Sequence, residues 1–511
     1  MAKRKVLLTG ASGSMGHEAF KELWRRRDKY DIVLLLLPIK HDKRLFKTYE
    51  AEVGIKSIPG KGVVESKNGE LKIVWGDLTN YDVVLKAVEG VDHVLHSAAL
   101  VAPTADHNPA LAKKINLGSS LNIIKAIKEQ PNGAECITMV SVGSVAVYGD
   151  RLPPVALIRA GDPIMPCIFD FYAVSKIAAE RVLIESDIKH WVSIRQSYIA
   201  IPDAMSLMDP IMFHQPIEQR IEMCTKADAG YGLIQTLEQD LDSDFWCRVY
   251  NQSGGPSCRF IYLDYIDKMM RLLGIGDFRK VIDRNWFCLR NFHDAWFADA
   301  HILNECLGHW RETLQDHLNQ VKGAAPWYVN SAKFTPKWMI KNFVMKRMAN
   351  RKDGPLYWVK HPDEMPNRIK AFYGSLEKWK EMDGWDWKLP DPDAESHLLH
   401  YGYDDSKSVD DLTIEELRKA AEFRGGECLS DSYSGNRSEK LKWKCAFGHE
   451  FEASIALILL GGHWCPECEP PPWNYDGIVK KNPFLAQAYC NKHDKDENNF
   501  YSEEDCLKET F

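Results

Sequence analysis

Two residues one helical turn apart carry the clearest chemistry in this sequence: Tyr172 and Lys176, in Tyr-Ala-Val-Ser-Lys. At positions i and i+4 their side chains leave the same face of a helix. An ammonium beside a phenol stabilises the phenolate and draws the pKa down from its ordinary ~10. A tyrosine so tuned can move a proton to or from a hydroxyl or carbonyl oxygen. Ser144, just beyond the apolar run that begins at Met139, could hold that oxygen by a hydrogen bond. The same spacing also arises by chance on many helices, so the surroundings decide.

The elements that must position these groups are legible upstream. Residues 5–9 (KVLLT) predict a short buried strand, followed by Gly10-x-x-Gly13-x-x-Gly16 and a helical run to Arg27. Glycines at a strand-to-helix turn let the backbone approach a pyrophosphate seated on the free N–H groups of the helix start. Residues 31–37, 71–75, 91–95 and 137–140 predict four more strands, and the last delivers Ser144. Strands alternating with helices in this way imply a parallel, doubly wound sheet with ligands at the carboxyl ends of its strands. The second strand runs into Pro38 without the acid that would bind an NAD ribose; Lys40, Lys43 and Arg44 follow. Those cations could meet a 2′-phosphate, so the cofactor reading is NAD or NADP, leaning to NADP, with a solvated basic loop as the alternative.

The ordered set TGASGSMG (9–16), GDL (76–78), HSAA (96–99), the helical segment opened by Asn116, SVAVYG (144–149) and YAVSK (172–176) resembles the extended short-chain dehydrogenases/reductases, the NAD-dependent epimerase/dehydratase family. IRQSYIAIP (194–202), KADAGYG (226–232) and VYNQSGGP (249–256) resemble its later landmarks, so the likeness covers residues 3–320. The resemblance implies that Gly10, Gly13, Ser14, Met15 and Gly16 cradle the pyrophosphate. It implies that Asp77 and Leu78 meet the adenine, that Ala98 and Ala99 line the cofactor, and that Asn116 supports the active-site helix. Ser144 would hold the substrate oxygen, Tyr172 would be the acid/base, and Lys176 would hold the nicotinamide ribose. The stretch after Arg195 lacks the family's usual Asn and Gly, which puts a sugar-nucleotide grip in doubt.

Residues 203–225 are rich in Met, Phe and Pro, with His214 and Arg220 as polar exceptions. Lying over the pocket, they would suit a bulky apolar substrate; packing between two lobes explains them equally. His214 reads as a surface or structural histidine. From 326 to 389 fall six of the sixteen tryptophans: Trp327, Trp338, Trp358, Trp379, Trp385 and Trp387. Residues 333–352 hold seven Lys or Arg and no acid, with Trp338, Met339, Phe343, Val344 and Met348 at helical spacing. This is either a helix packed on its own domain with solvated cations or one resting on an anionic membrane surface. After a polar linker (406–411), Cys445, His449, Cys465 and Cys468 supply four soft ligands for tetrahedral zinc and resemble a C-terminal zinc ribbon. With all four positions filled the metal would be structural; the ribbon's partner is left open. The end after Asn491 reads as an acidic, mobile tail.

The 511 residues, 45% hydrophobic and 27% charged, fit a soluble globular protein of more than one domain. A net charge of -7 gives no reason to expect nucleic acid as the main partner. No apolar run reaches the ~18–20 residues of a membrane span. The N-terminus enters a strand without a signal-peptide core, and most of the 13 cysteines lie singly, as in a reducing compartment, so the cytoplasm is expected.

The expected architecture is α/β: a Rossmann-type doubly wound sheet with a smaller α/β substrate lobe, an aromatic-rich helical extension and a small zinc ribbon. The divisions are 1–325 (lobe from about 195), 326–405, 406–475 and 476–511. The expected function is hydride transfer between a nicotinamide and a carbonyl or hydroxyl carbon of a small-molecule substrate. The alternatives are an epimerase/dehydratase acting on a nucleotide sugar, and a non-catalytic nucleotide sensor or scaffold that binds a partner through the ribbon. The resemblance also implies a homodimer.

Overall fold

Residues that alternate along the first strand, β1 (Arg4–Thr9), go to opposite faces of one sheet: Val6 and Leu8 to one core, Leu7 to another. Both faces are therefore covered, as the unbroken apolar runs require. The structure, a computed structural model, describes residues 3–203, 208–326, 332–389, 391 and 394–510. Residues 204–207 of the Met-rich stretch, and Trp327, lie outside them.

Seven further strands complete the main sheet: β2 (Tyr30–Leu36), β3 (Val63–Glu65), β4 (Leu71–Trp75), β5 (His93–His96), β6 (Thr138–Ser144), β7 (Trp191–Gln196) and β8 (Arg248–Gln252). Their order is β8-β7-β6-β5-β1-β2-β4-β3, parallel except for β3 on β4. The order reverses between β1 and β5, where ligands bind in doubly wound sheets. Helix α1 (Ser14–Arg25) lies on one face, and α2 (Lys40–Glu52) joins its core through Phe46. On the other lie α3 (Tyr81–Val88), α4 (Gly118–Glu129) and α5 (Phe171–Ile184). A sixth helix, α6 (Lys226–Glu238), packs on α1. The Asn116 segment differs from expectation: Asn116 sits inside a π-turn, Lys113–Leu117, ahead of α4.

The carboxyl-terminal segments are laced into this body. Trp358 is fully buried, and Trp379 and Trp385 donate their indole N–H to the carbonyls of Asn285 (2.8 Å) and Ile282 (3.0 Å) in the substrate lobe. Strands β9 (Glu427–Cys428), β10 (Lys440–Lys444) and β11 (Glu450–Ser454) form the antiparallel ribbon sheet. The apolar run after β11, Ala456–Leu460, joins the core beside α5 and the sheet edge. The end of the chain is not a free tail. Helices Pro483–Tyr489 and Glu503–Lys508 are packed, and Glu509 accepts hydrogen bonds from the N–H groups of Asn367 and Arg368. Its acids were legible, but the apolar residues between them (Phe484, Leu485, Tyr489, Tyr501, Cys506) bury it.

The ribbon meets the sheet domain without clearance at Gly462. Its φ is +67°, and an added Cβ would lie 1.9 Å from the Asp162 carbonyl oxygen. Gly462→Ala is expected to cost about 2 kcal/mol in urea unfolding, from backbone strain plus overlap; wild-type stability would show that the ribbon is not seated there.

Candidate active site

The glycine turn explains the cofactor end of the site. Gly13 caps α1 without a side-chain hydrogen bond, which leaves the first N–H groups of the helix open. Gly16 packs so close to the turn that a Cβ would fall 2.0 Å from the Gly10 carbonyl oxygen, so only hydrogen fits. These residues floor a cavity of about 650 Å³ that runs to Ser144, Tyr172 and Lys176.

Of the residues predicted from sequence, Gly10, Gly13, Ser14, Met15, Gly16, Ala99, Ser144, Tyr172 and Lys176 all line this cavity. Asp77, Leu78, Ala98 and Asn116 are not among its lining residues. Asp77 is exposed at the end of β4, where its carboxylate accepts from the Thr79 N–H. Asn116 is a brace: its amide exchanges hydrogen bonds with both backbone groups of Leu100 and donates to Ser175 on α5 at 2.8 Å. It ties the loop after β5 to the helix that carries Tyr172.

That helix is held at its start by two carboxylates. Asp170 caps it, accepting from the Ala173 N–H at 2.7 Å, and Asp106 accepts from the Tyr172 N–H at 2.9 Å. The Ser144 hydroxyl lies near enough to the Tyr172 phenol to draw its pKa down. Lys176 donates to the Val142 carbonyl at 2.6 Å, which pins α5 to the end of β6. One expectation is corrected here. Burial pushes the Tyr172 phenol up to about 12 despite the Ser144 hydroxyl, and Lys176 is not among the groups that lower it. Burial lowers the Lys176 ammonium itself to about 8, and it donates its hydrogen bond to a backbone carbonyl.

Sequence reasoning missed Phe292, His293 and Asp294, which line the same cavity. His293 Nδ1 lies 3.0 Å from the Asp170 carboxylate. Asp294 is 7% exposed, one of its carboxylate oxygens has no hydrogen-bond partner, and its backbone is held at φ +149°. A buried orphan oxygen on a strained backbone is costly, and such costs gather at functional sites. No spacing in the sequence marks this segment; it reaches the site only through the tertiary fold. His214, by contrast, packs on Trp358 and Phe372 and contacts the Asp353 carbonyl, and Arg220 lies over the Trp296 ring. Both are structural.

The basic loop after β2 is only partly free. Lys43 is paired with the buried Glu50 and donates to Ser57 at 3.0 Å, while Lys40 and Arg44 are exposed. Asp42, buried, accepts from the Ser12 hydroxyl at 3.2 Å, which sets a carboxylate beside the glycine turn.

Far along the chain, the Cys445, Cys465 and Cys468 sulfurs and the His449 Nδ1 lie within 4.8 Å of one another and could hold a metal ion. Cys445 and Cys468 are 3.8 Å apart, and His449 Nδ1 is 3.4, 3.5 and 3.5 Å from the three sulfurs in chain order. The loop leading into Cys465 returns to α5. His463 Nε2 lies 2.8 Å from the Glu180 carboxylate, and Arg181 donates to the Trp464 carbonyl at 3.0 Å. No described helix is long and apolar enough to cross a membrane.

The chain is 28% identical over 123 residues to the 3 beta-hydroxysteroid dehydrogenase/Delta 5-->4-isomerase of Mycobacterium tuberculosis, covering 22% of this chain and 31% of that one. It is 26% identical over 124 residues to the UDP-glucose 4-epimerase of Rickettsia bellii, covering 24% and 32%. The matches thus span about a third of the length of these curated relatives. Among solved structures, the dTDP-glucose 4,6-dehydratase of Bacillus anthracis aligns with a TM-score of 0.46 at 16% identity, over 64% of this chain and 96% of that one. Residues 6–194, which hold most of the main sheet, match the NAD dependent epimerase/dehydratase family.

Proposed function

We propose that this chain is a nicotinamide-dependent oxidoreductase acting on a hydroxyl or carbonyl carbon of a bulky, largely apolar substrate. The observation that carries the reading is one cavity containing the glycine turn at one end and Ser144, Tyr172 and Lys176 at the other. The bound dinucleotide would supply a hydride acceptor or donor. Ser144 would hold the substrate oxygen and Tyr172 would take or give its proton, while Lys176, fixed by Val142, would face the ribose. Asp42 at the glycine turn and the internal pairing of Lys43 favour NAD(H) over NADP(H).

The substrate end supports an apolar ligand: Ile201, Ile211, Met212, Ile221 and Phe260 line it. Among the described lining residues there is no arginine, and the only lysine is Lys176. A nucleotide sugar carries a diphosphate, which needs cations, so that alternative is the weaker one. A second reading, in which the hydride returns to the substrate, is favoured by Asp294. Where water is eliminated before the hydride returns, a further proton-transfer group is needed, and Asp294 lines the same cavity. The Cys445, His449, Cys465 and Cys468 cluster suits zinc. Bonds of ~2.3 Å to sulfur and ~2.0 Å to nitrogen set tetrahedral edges of roughly 3.8 Å and 3.5 Å, close to those observed. The ion would close the hairpin that carries His463.

Three measurements test these assignments. Tyr172→Phe is expected to lower turnover about a thousandfold, read at the absorbance of reduced nicotinamide with bulky alcohols and ketones, while leaving NADH affinity nearly unchanged. Surviving activity would remove Tyr172 from the chemistry.

Burial raises the Asp294 carboxyl to about 7, against the pull of His293. A raised carboxyl penalises the folded state once the pH passes the ordinary ~4, and the full penalty is reached above the folded value. Asp294→Asn should therefore be more stable than wild type by about 4 kcal/mol at pH 8, with the gap closing toward pH 4. A pH-independent difference would contradict the assignment.

Zinc should be present at one equivalent per chain by elemental analysis. Cys465→Ser should lose it and lower the melting temperature by several degrees; full stability without metal would refute the structural role.

A further inference from the structure

The segment between the substrate lobe and the extension leaves an apolar face uncovered. Lys337–Met339, Ile340–Met345 and Lys346–Ala349 form one continuous helix through a π-turn. One side is core: Ile340, Met345, Met348 and Ala349 are buried with Phe213. The other side is open, with Phe334 84% exposed, Trp338 60% and Phe343 50%, and Met339 and Val344 exposed beside them. Trp338 and Phe343 touch edge to face, with centroids 5.9 Å apart, and the Arg347 guanidinium lies 5.5 Å from the Phe343 ring. The aromatics are therefore one patch rather than scattered residues.

The charges that this segment itself carries share one sign. Residues 333–352 contain seven cations and no acid. Lys341 pairs with Asp283 at 2.5 Å, and Arg351 with Asp353 at 3.6 Å. Among the described residues no ion pair engages Lys333, Lys337, Lys346 or Arg347. Exposed aromatics ringed by unpaired cations fit a surface that offers anionic headgroups above hydrocarbon.

The location gives the patch a purpose. Lys346–Ala349 packs against Pro210–Phe213, the segment whose Ile211 and Met212 wall the substrate cavity. Val101 and Ile201, which also line the cavity, are exposed. We infer that residues 333–347 dock this protein on an anionic lipid surface, through Phe334, Trp338 and Phe343 and the cations beside them. The inference deepens the apolar-substrate reading, since a substrate of that kind resides in the bilayer to which the cavity wall would be brought.

The test is co-sedimentation of the full chain with phosphatidylcholine vesicles, with and without phosphatidylserine. Binding is expected only with phosphatidylserine, and it should fall steeply as salt is raised. Trp338→Glu/Phe343→Glu should weaken it about tenfold or more, with NADH affinity and melting temperature unchanged, because both side chains are surface-exposed. A second variant, Lys337→Gln/Lys346→Gln/Arg347→Gln, should lose the phosphatidylserine preference. No sedimentation with anionic vesicles, or undiminished binding by the glutamate variant, overturns the inference. A dimer in light scattering that the glutamate variant breaks, without vesicle binding, assigns the patch to a second copy and overturns it too. None of these outcomes touches the turnover test of Tyr172, so the two readings fail separately.

Discussion

The structure depends on one buried carboxylate, Glu180. It lies on α5 one turn beyond Lys176 and is enclosed by groups from three parts of the chain. Ser193 donates to it at 2.6 Å and Arg195 at 3.1 Å through Nε, both from β7; His463 approaches at 2.8 Å from the ribbon. Burial alone would raise its pKa, but Arg195 and His463 hold it well below the usual carboxylate range. Arg195 in turn donates to the Gly461 carbonyl at 2.6 Å and lies over the Tyr148 ring. A charge taken so far from water is tolerated only while its partners stay in place, and removing one partner of such a pair typically costs ~3–5 kcal/mol. Helix, sheet and ribbon are therefore not independently movable.

The consequence reaches the chemistry through α5. Its start is fixed by Asp170 and Asp106, its middle by Lys176 on Val142, and its later turns by Glu180 and Arg181 on the ribbon. Proton transfer requires Tyr172 and Ser144 at hydrogen-bonding distance from one oxygen, and misplacement by about 1 Å can cost a hundredfold in rate. A metal that closes the Cys465 hairpin would steady His463 and so act on the site from behind. This would give the ribbon an internal task, where its sequence left the partner open.

How much of this was legible in the sequence follows the range of the interactions. Five of the eight strands, the glycine turn and the placing of Ser144, Tyr172 and Lys176 at a strand end and a helix start are set by local patterns, and these were read within a few residues, whereas the strands Val63–Glu65, Trp191–Gln196 and Arg248–Gln252 were not. That Cys445, His449, Cys465 and Cys468 come together in a group that could hold a metal was legible for the same reason, since such chemistry lies in type and spacing. Asp294, His293 and the Glu180–His463 contact were not, because nothing local distinguishes a carboxylate that a loop will bury from one left in water. The tail misled for a related reason: net acidity outweighed a few apolar residues whose role appears only with Arg368 and the Trp358 core behind them. The Lys176 expectation failed on geometry, since helical spacing fixes which face a side chain leaves but not where a long ammonium ends.

The composition of the cavity narrows the chemistry further than the fold does. A doubly wound sheet hosts many reactions, so the argument must come from the site. Here Ser144, Tyr172, His293 and Asp294 share the lining with Gln196, Ser197 and Gln215 and with aliphatic and aromatic side chains such as Ile201, Ile211, Met212 and Phe260. A lining with no arginine and, among the described residues, Lys176 as its one lysine gives a diphosphate little to bind, whereas its apolar side chains can desolvate a hydrocarbon skeleton that a few polar atoms orient. A substrate recognised in that way needs an oxygen near Tyr172 and gains nothing from charge elsewhere. Such a molecule is scarce in water, and a protein that must meet it profits from an exposed aromatic and cationic face next to the cavity wall. On the proposed reading, the uncovered residues that are a liability in solution go with the kind of substrate the cavity would hold.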